Sequence, residues 1–481
     1  MLFLTLLAVA AIAYFVGLGR AGFDDAEAYS AYIASRPSVA AVLEASRQLD
    51  PGKGGGLYAF ILHWYCAVFG SGEVALRAFS AIFALGSVVL VYALTADLFE
   101  TDTAFVAASL WAFNPIALII ARWARMYSLF VALALDSLLA MRRLQRRPTS
   151  MRIAAFAGLG AAMLYTHLGG ALILAGEAAI LARERWRGRA IAAEAAGLAL
   201  ALMLFVPIAP NALAQVHASA LGHRFDWMGS AVQLSLAARV AIGALAAMVA
   251  IAIVFGPAMR HDDDSEPLRW CAMWTLLPLL ALAAGSMILH PMFEIRYIAP
   301  VVAGAAILAA AGLKFAEARV RNLIVVALTF AFLIPAMLFY RLHPPFDLWR
   351  RIARTVEASG EPAQEVFFEA GYVMGIRQAA GLDPDALVEV LPLGYLRIPF
   401  DYYFRGSNPR LALNPFRTDL ARQTLARAAR RDDGAWLVSH MNDADLVLEL
   451  PSREEFVSER IVYDESVSVS LYRIVPRETP R

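Results

Sequence analysis

The chain has 481 residues, 60% of them hydrophobic and 17% charged, with a formal net charge of +1. A soluble domain carries roughly 45–50% apolar residues, so this composition excludes an ordinary globular enzyme and requires a bilayer as solvent. No basic stripe with interleaved aromatics is present, which argues against a nucleic-acid partner, and the two cysteines, Cys66 and Cys271, match neither a disulfide framework nor a metal-ligand spacing.

A bilayer core about 30 Å thick takes roughly 20 residues of helix. Apolar runs between charge clusters predict about eleven spans, at 1–19, 75–98, 103–121, 126–141, 153–166, 168–182, 190–208, 231–255, 269–289, 297–313 and 322–340. The first run is preceded by no Lys or Arg and is longer than a signal-peptide core, so it reads as an uncleaved span. The loops 141–152 (five Arg), 183–189 (four Arg), 259–269 and 314–321 fall on one side if the spans alternate, and the positive-inside rule makes that side cytoplasmic. The opposite, periplasmic side of an inner membrane then receives 20–74, the turn at 122–127, His167, 211–230, 290–296 and the C-terminus. Ionisable groups gathered at one membrane face mark a site by default.

A soluble domain begins near His343-Pro344-Pro345, so 1–343 reads as the membrane domain, with the outer loop 20–74, and 344–481 as an α/β domain. It opens with an amphipathic helix whose apolar positions are Phe346, Trp349, Ile352 and Val356. Strands are predicted at 366–369, 386–391 and 436–439, a helix at 415–430 with Asn414 as N-cap, and a hairpin from 461–464 and 467–474. Gly371-Tyr-Val-Met-Gly375 lacks the third glycine and the distant acid of a dinucleotide fingerprint.

Five outer features carry candidate chemistry. Phe23-Asp24-Asp25-Ala26-Glu27-Ala28-Tyr29-Ser30 places three carboxylates at the membrane surface, where one could take an acceptor proton or hold a divalent cation; a solvated loop face is the competing reading. Arg122-Trp-Ala-Arg125-Met-Tyr127-Ser128 sets two arginines against the positive-inside trend, suited to a phosphate or to interfacial snorkelling. His290-Pro-Met-Phe-Glu294-Ile-Arg296-Tyr297 repeats an Arg-Tyr pair at the mouth of a span. Tyr165-Thr166-His167-Leu168-Gly169-Gly170 puts a histidine at a tight turn, where packing competes with chemistry. The apolar stretch 57–69 is too short to span and suits an interfacial helix, with Lys53 just ahead of it in a Gly-rich linker that is not a Walker motif.

In order, the acidic motif, the Leu57-Tyr58 stretch with His63 and Trp64 ending at Phe69-Gly70, Leu76-Arg77, Asn114-Pro115, Arg125-Met126-Tyr127, Tyr165-Thr166-His167 and Arg296-Tyr297 resemble the GT-C glycosyltransferases. The likeness is to bacterial relatives of protein mannosyltransferases and of the lipid A aminoarabinose transferase. It departs at Ala26, which stands at the family's aspartate position and leaves Asp24, Asp25 and Glu27 as alternatives for the catalytic carboxylate. It departs also at Trp123, where many relatives have a glutamate, which weakens the case for a bound metal. At Gly54-Gly55-Gly56 a proline pair is replaced, and the loop is expected to loosen.

The resemblance implies a polyprenyl-phosphate sugar as donor, a lipid, glycan or protein as acceptor, and inversion at the anomeric carbon. Asp25, with Asp24 or Glu27 as substitutes, would serve as base. Arg125 and Arg296, with Tyr127, Tyr297, Arg122, Lys53 and His167, would hold the phosphate. The resemblance names no certain cofactor; a divalent metal ion, if used, would sit on Asp25 and Glu27. A transporter or flippase is the rival reading, weakened by the lack of internal repeats and of midplane charges, and a noncatalytic assembly scaffold is a third.

Overall fold

The computed structural model describes residues 1–49, 55–183, 189–210, 243, 246–250, 265–288, 295–342, 347–369, 394–413, 418–431, 434–439, 456–464 and 469–477. They pack as two units. One contains Met1–Gly19, Ile33–Val216 and His223–His343, and the other joins Arg20–Tyr32 to Pro344–Arg481. The sequence reading kept all of 20–74 with the membrane helices; the packing divides that segment, because side chains of the C-terminal unit hold the acidic turn.

The first unit is helical and polytopic. Its helices are α1 (Leu2–Phe15), then, after the short α2 (Asp25–Ala34) of the other unit, α3 (Val39–Leu49), α4 (Leu57–Phe69), α5 (Glu73–Leu98), α6 (Thr101–Ala112), α7 (Pro115–Ala121), α8 (Tyr127–Arg146), α9 (Ser150–Thr166), α10 (Gly170–Arg183), α11 (Arg189–Phe205), α12 (Ser265–Ile288), α13 (Ala299–Leu313) and α14 (Ala318–Leu342). Glu73–Leu98, Ala190–Ile208 and Glu266–Gly285 are each long and apolar enough to cross a bilayer, and Thr101–Ala112 with Pro115–Ala121 qualifies as a pair bent by 61°. The apolar run at 231–255 falls almost wholly outside the described residues.

The bend between α6 and α7 has a local cause. Pro115 brings no N–H to continue α6 and suits the first position of a new helix, while the Asn114 side chain accepts from the Ile116 N–H at 2.9 Å as its cap. The α6 carbonyl of Ala112 is taken by the Tyr14 hydroxyl at 2.8 Å. The predicted span 103–121 is therefore two helices bent by 61°, and α7 delivers the chain into the arginine turn.

Every residue of α13 is buried, as a helix apolar on all sides requires. Its small residues let neighbours approach: a Cβ added at Gly304 would lie 2.2 Å from Thr275 Oγ1 on α12. The basic loop ends gather at one end of this bundle. Asp97 accepts from Arg142 at 3.3 Å and Arg146 at 2.6 Å, Arg142 lies over the Trp270 ring at 4.9 Å, and Lys314 pairs with Glu100 at 3.2 Å.

The second unit is an α/β layer. After α15 (Leu348–Ala358) come β1 (Val366–Glu369), α16 (Gly394–Tyr403), β2 (Arg410–Leu413), α17 (Thr418–Ala429), β3 (Ala435–Ser439), β4 (Phe456–Asp464) and β5 (Val469–Pro476). The sheet order is β2-β1-β3-β5-β4, parallel from β2 to β3 and antiparallel from β3 to β4. Alternation along β1 sends Val366 and Phe368 to one face and Phe367 to the other. The first face packs on Trp349, Ile352 and Val356 of α15 and Phe400 of α16, and the second on Leu425 and Ala429 of α17. Helix α16 and strand β2 were not foreseen: Pro399 hides the helix, and β2 is only four residues long. The predicted strand 386–391, Phe346, Asn414 and 371–375 lie outside the described residues.

Candidate active site

The acidic motif is helical rather than extended. Asp24 is the N-cap of α2: its carbonyl accepts from Ala28 N–H at 3.0 Å and its Oδ1 from Glu27 N–H at 2.7 Å. Glu27 Oε2 in turn accepts from the Asp24 N–H at 3.2 Å. This is the reciprocal capping box that an acid at the cap and a glutamate three residues later form. Asp24 and Glu27 thus satisfy helix donors, and Glu27 is buried.

Asp25 is the first residue of α2 and turns elsewhere, since neighbouring helical positions diverge by about 100°. Its Oδ1 accepts from Trp349 Nε1 at 2.5 Å. Burial pushes its pKa up to about 6, with the Trp349 hydrogen bond pulling the other way. Positions two apart on a helix do not face each other, so Asp25 and Glu27 point to different sides of α2. That pair does not fit a metal site, and among the described residues no three His, Cys, Asp or Glu side chains converge as metal ligands.

In the helical unit, three turns that are distant in sequence meet at the end of the bundle away from the arginine loops. The Trp123 and Tyr127 rings stack at 5.2 Å. His167, which caps the end of α9, stacks on Phe130 at 5.0 Å and lies 5.8 Å from Tyr127 and 4.9 Å from Tyr297. Tyr297 sits in a short 3-10 turn, Ile295–Ile298, ahead of α13, 6.3 Å from Tyr127. Arg125, in the same turn as Trp123, is buried, and its carbonyl accepts from Ser80 of α5 at 3.3 Å. Of Arg296 only the backbone is described, and Lys53, His290 and Glu294 lie outside the described residues.

His167 Nδ1 accepts from the Gly169 N–H at 2.9 Å. That bond assigns the neutral tautomer with its proton on Nε2. Gly169 has to be glycine for this arrangement, because a Cβ there would lie 2.8 Å from Nδ1. Glycines also tighten the segment ahead of α4. Gly55 N–H donates to the Tyr165 carbonyl at 2.9 Å, a Cβ at Gly55 would lie 2.5 Å from the Tyr165 ring, and Gly56 has φ +82°. The expected loosening does not hold at Gly55-Gly56.

Arg122 serves the architecture of the bundle. Its Nη1 donates to the carbonyls of Ala13 at 3.0 Å, Tyr14 at 3.4 Å and Val16 at 2.8 Å, capping the open end of α1. Buried Arg77 does the same for Leu18 O at 2.7 Å. Sequence reasoning missed Trp349 and Tyr403 as partners of the acidic turn. The signal was a tryptophan on an amphipathic helix, whose N–H needs a partner once buried.

Residues 55–212 match the family model for dolichyl-phosphate-mannose-protein mannosyltransferases. The crystal structure of ArnT from Cupriavidus metallidurans in the apo state matches with a TM-score of 0.59 over 98% of this chain and 97% of that one, at 13% identity. The chain shares the fold of this ArnT over nearly its whole length. The same ArnT bound to undecaprenyl phosphate gives a TM-score of 0.54 over 98% and 97% of the two chains at 14% identity. The Archaeoglobus fulgidus oligosaccharyltransferase in its apo form gives 0.53 over 91% of this chain and 69% of that one at 13% identity. No curated protein sequence matches. The shared fold covers both halves of the chain, the helical bundle and the α/β unit.

Proposed function

We propose that this protein is a GT-C glycosyltransferase that moves a sugar from a polyprenyl-phosphate donor to a lipid, glycan or protein acceptor at the periplasmic face of the inner membrane. The observation that carries the reading is the meeting of the Arg125, His167 and Tyr297 turns at one end of the bundle, in a fold whose ArnT example was solved with undecaprenyl phosphate. A fold match over 98% of the chain favours this reading over a transporter or flippase.

In this reaction the acceptor hydroxyl attacks the anomeric carbon, the bond from that carbon to the phosphate oxygen breaks, and polyprenyl phosphate leaves with the bonding pair. One displacement inverts the anomeric centre. The hydroxyl proton passes to Asp25, whose raised pKa of about 6 suits a base working near neutrality. Arg125 and Arg296 supply charge-assisted hydrogen bonds to the phosphate as negative charge builds on it. Tyr127 and Tyr297 add hydroxyl donors, His167 an Nε2–H, and Lys53 is the remaining cation in this role. No step needs a metal held by Asp25 and Glu27.

Membrane vesicles containing the protein, supplied with radiolabelled undecaprenyl-phosphate hexose and pentose donors, test the reading. Label should move to an acceptor and free undecaprenyl phosphate should accumulate. Movement of intact donor across the bilayer with no cleavage would establish the flippase instead.

A further inference from the structure

Trp349 is fully buried on α15 within an apolar cluster that includes Ile352, Val356, Val366, Phe368 and Phe400. Apolar packing alone would suit a phenylalanine there. The indole differs by one polar group, its N–H, which needs a partner when buried, and the partner is Asp25 Oδ1 at 2.5 Å. The same turn is gripped a second time. The Phe23 N–H donates to the Tyr403 hydroxyl at 2.6 Å, and the buried Phe23 ring lies 4.9 Å from Tyr402. Tyr403 is itself fixed by the Arg350 guanidinium over its ring at 5.3 Å, and Arg350 is paired with Asp347 at 2.8 Å.

We propose that Trp349 is the positioning residue for Asp25, so that the α/β unit sets the geometry of the catalytic carboxylate through one indole hydrogen bond. This rests on the reading of Asp25 as the base. Held at Oδ1 by a rigid core side chain, the carboxylate keeps one rotamer, and orienting a base before the substrate arrives removes an ordering cost from the reaction. A donor on a carboxylate also favours the ionised form, and the ionised form is the one that accepts a proton. Trp349 thus opposes the burial that raises Asp25. The charged and titratable groups of the surrounding elements include Asp24 and Glu27 on α2, the paired Asp347 and Arg350 at the start of α15, and Tyr402 and Tyr403 on α16; the same helices also carry Tyr29, Tyr32, Arg351, Arg354, Glu357, Arg397 and Asp401.

Trp349→Phe keeps an aromatic ring in the core and deletes the donor. In the full-length protein in nanodiscs, the acid limb of kcat/KM should move upward by about one pH unit, the size expected for losing one hydrogen bond to a charged group. Activity at pH 8.5 should be retained to within a few-fold. A loss equal at every pH, with the acid limb unmoved, would make Trp349 a packing residue and overturn the proposal. The second measurement does not depend on turnover. The Trp349 indole 15N–1H resonance, identified as the one lost in Trp349→Phe or Trp349→Tyr, should titrate near pH 6 in the wild type and stay constant in Asp25→Asn. A resonance indifferent to both pH and Asp25→Asn would overturn the contact. If the resonance titrates but no donor is turned over, the positioning contact stands and the transferase reading fails.

Discussion

Asp24 and Glu27 hydrogen-bond each other's backbone N–H groups, at 2.7 Å and 3.2 Å, across the first turn of α2. Two of the three carboxylates in the motif are therefore engaged in starting a helix, and Asp25 is aimed at Trp349 of α15. Asp24→Asn and Glu27→Gln keep an acceptor at each position and should retain activity to within a few-fold. Asp25→Asn should lower turnover by roughly the 10²–10⁴ of lost general-base catalysis with donor affinity nearly unchanged. Steady-state kinetics with donor-binding isotherms on the three variants decide; an inactive Asp24→Asn with an active Asp25→Asn would move the base one residue earlier.

The raised pKa of Asp25 makes a prediction for stability as well. Its folded value of about 6 lies above the ordinary value near 4, so the native protein holds this proton more tightly than the unfolded chain. The contribution to stability is complete below about pH 4 and is lost as pH rises through about 6. Asp25→Asn cannot ionise, so it should unfold at a higher temperature than the wild type at pH 7.5 and at the same temperature below pH 4. Thermal unfolding across that range measures the difference.

The two arginines of one turn should separate. Arg125→Ala removes a proposed phosphate contact worth about 1.5–3 kcal/mol and should weaken donor binding by roughly ten-fold or more, with Arg296→Ala doing likewise. Arg122→Ala uncaps three carbonyls of α1 and should lower thermal stability while sparing donor affinity in the protein that remains folded. Equal donor affinity in the wild type and Arg125→Ala would leave that arginine an interfacial side chain only.

Gly169→Ala tests the histidine cluster. The added Cβ would lie 2.8 Å from His167 Nδ1 and 3.5 Å from Phe130, so the ring must swing away from its Gly169 N–H donor and from the tyrosines. Activity should fall about as far as in His167→Ala, whereas Gly158→Ala, where a Cβ meets nothing within 4 Å, should be unaffected. A fully active Gly169→Ala would remove His167 from the site.

Sidedness follows from the arginines. Cysteines placed within 141–152 should be shielded from an impermeant thiol reagent in intact cells, and a periplasm-active reporter fused after Arg481 should work. Cys66 and Cys271 are both free thiols and should stay unbridged. Labelling of 141–152 from outside would invert the topology and the placement of the site.

The sequence alone determined the membrane class, most of the helix positions and the meeting of aromatic residues from the turns at Tyr127, His167 and Tyr297. Those follow from composition, period and charge, which are local properties that each segment displays wherever it sits. It could not determine which carboxylates start the helix and which one meets the indole. Asp24, Asp25 and Glu27 are alike in chemistry, and what separates them is a helix starting at Asp25 and an indole 324 residues further on. Nor could it show that Arg122 caps α1, since the carbonyls Arg122 meets lie more than a hundred residues upstream. Long-range partners of single polar atoms leave no period in a sequence. They are settled only when packing brings a buried donor against an acceptor that has to be satisfied.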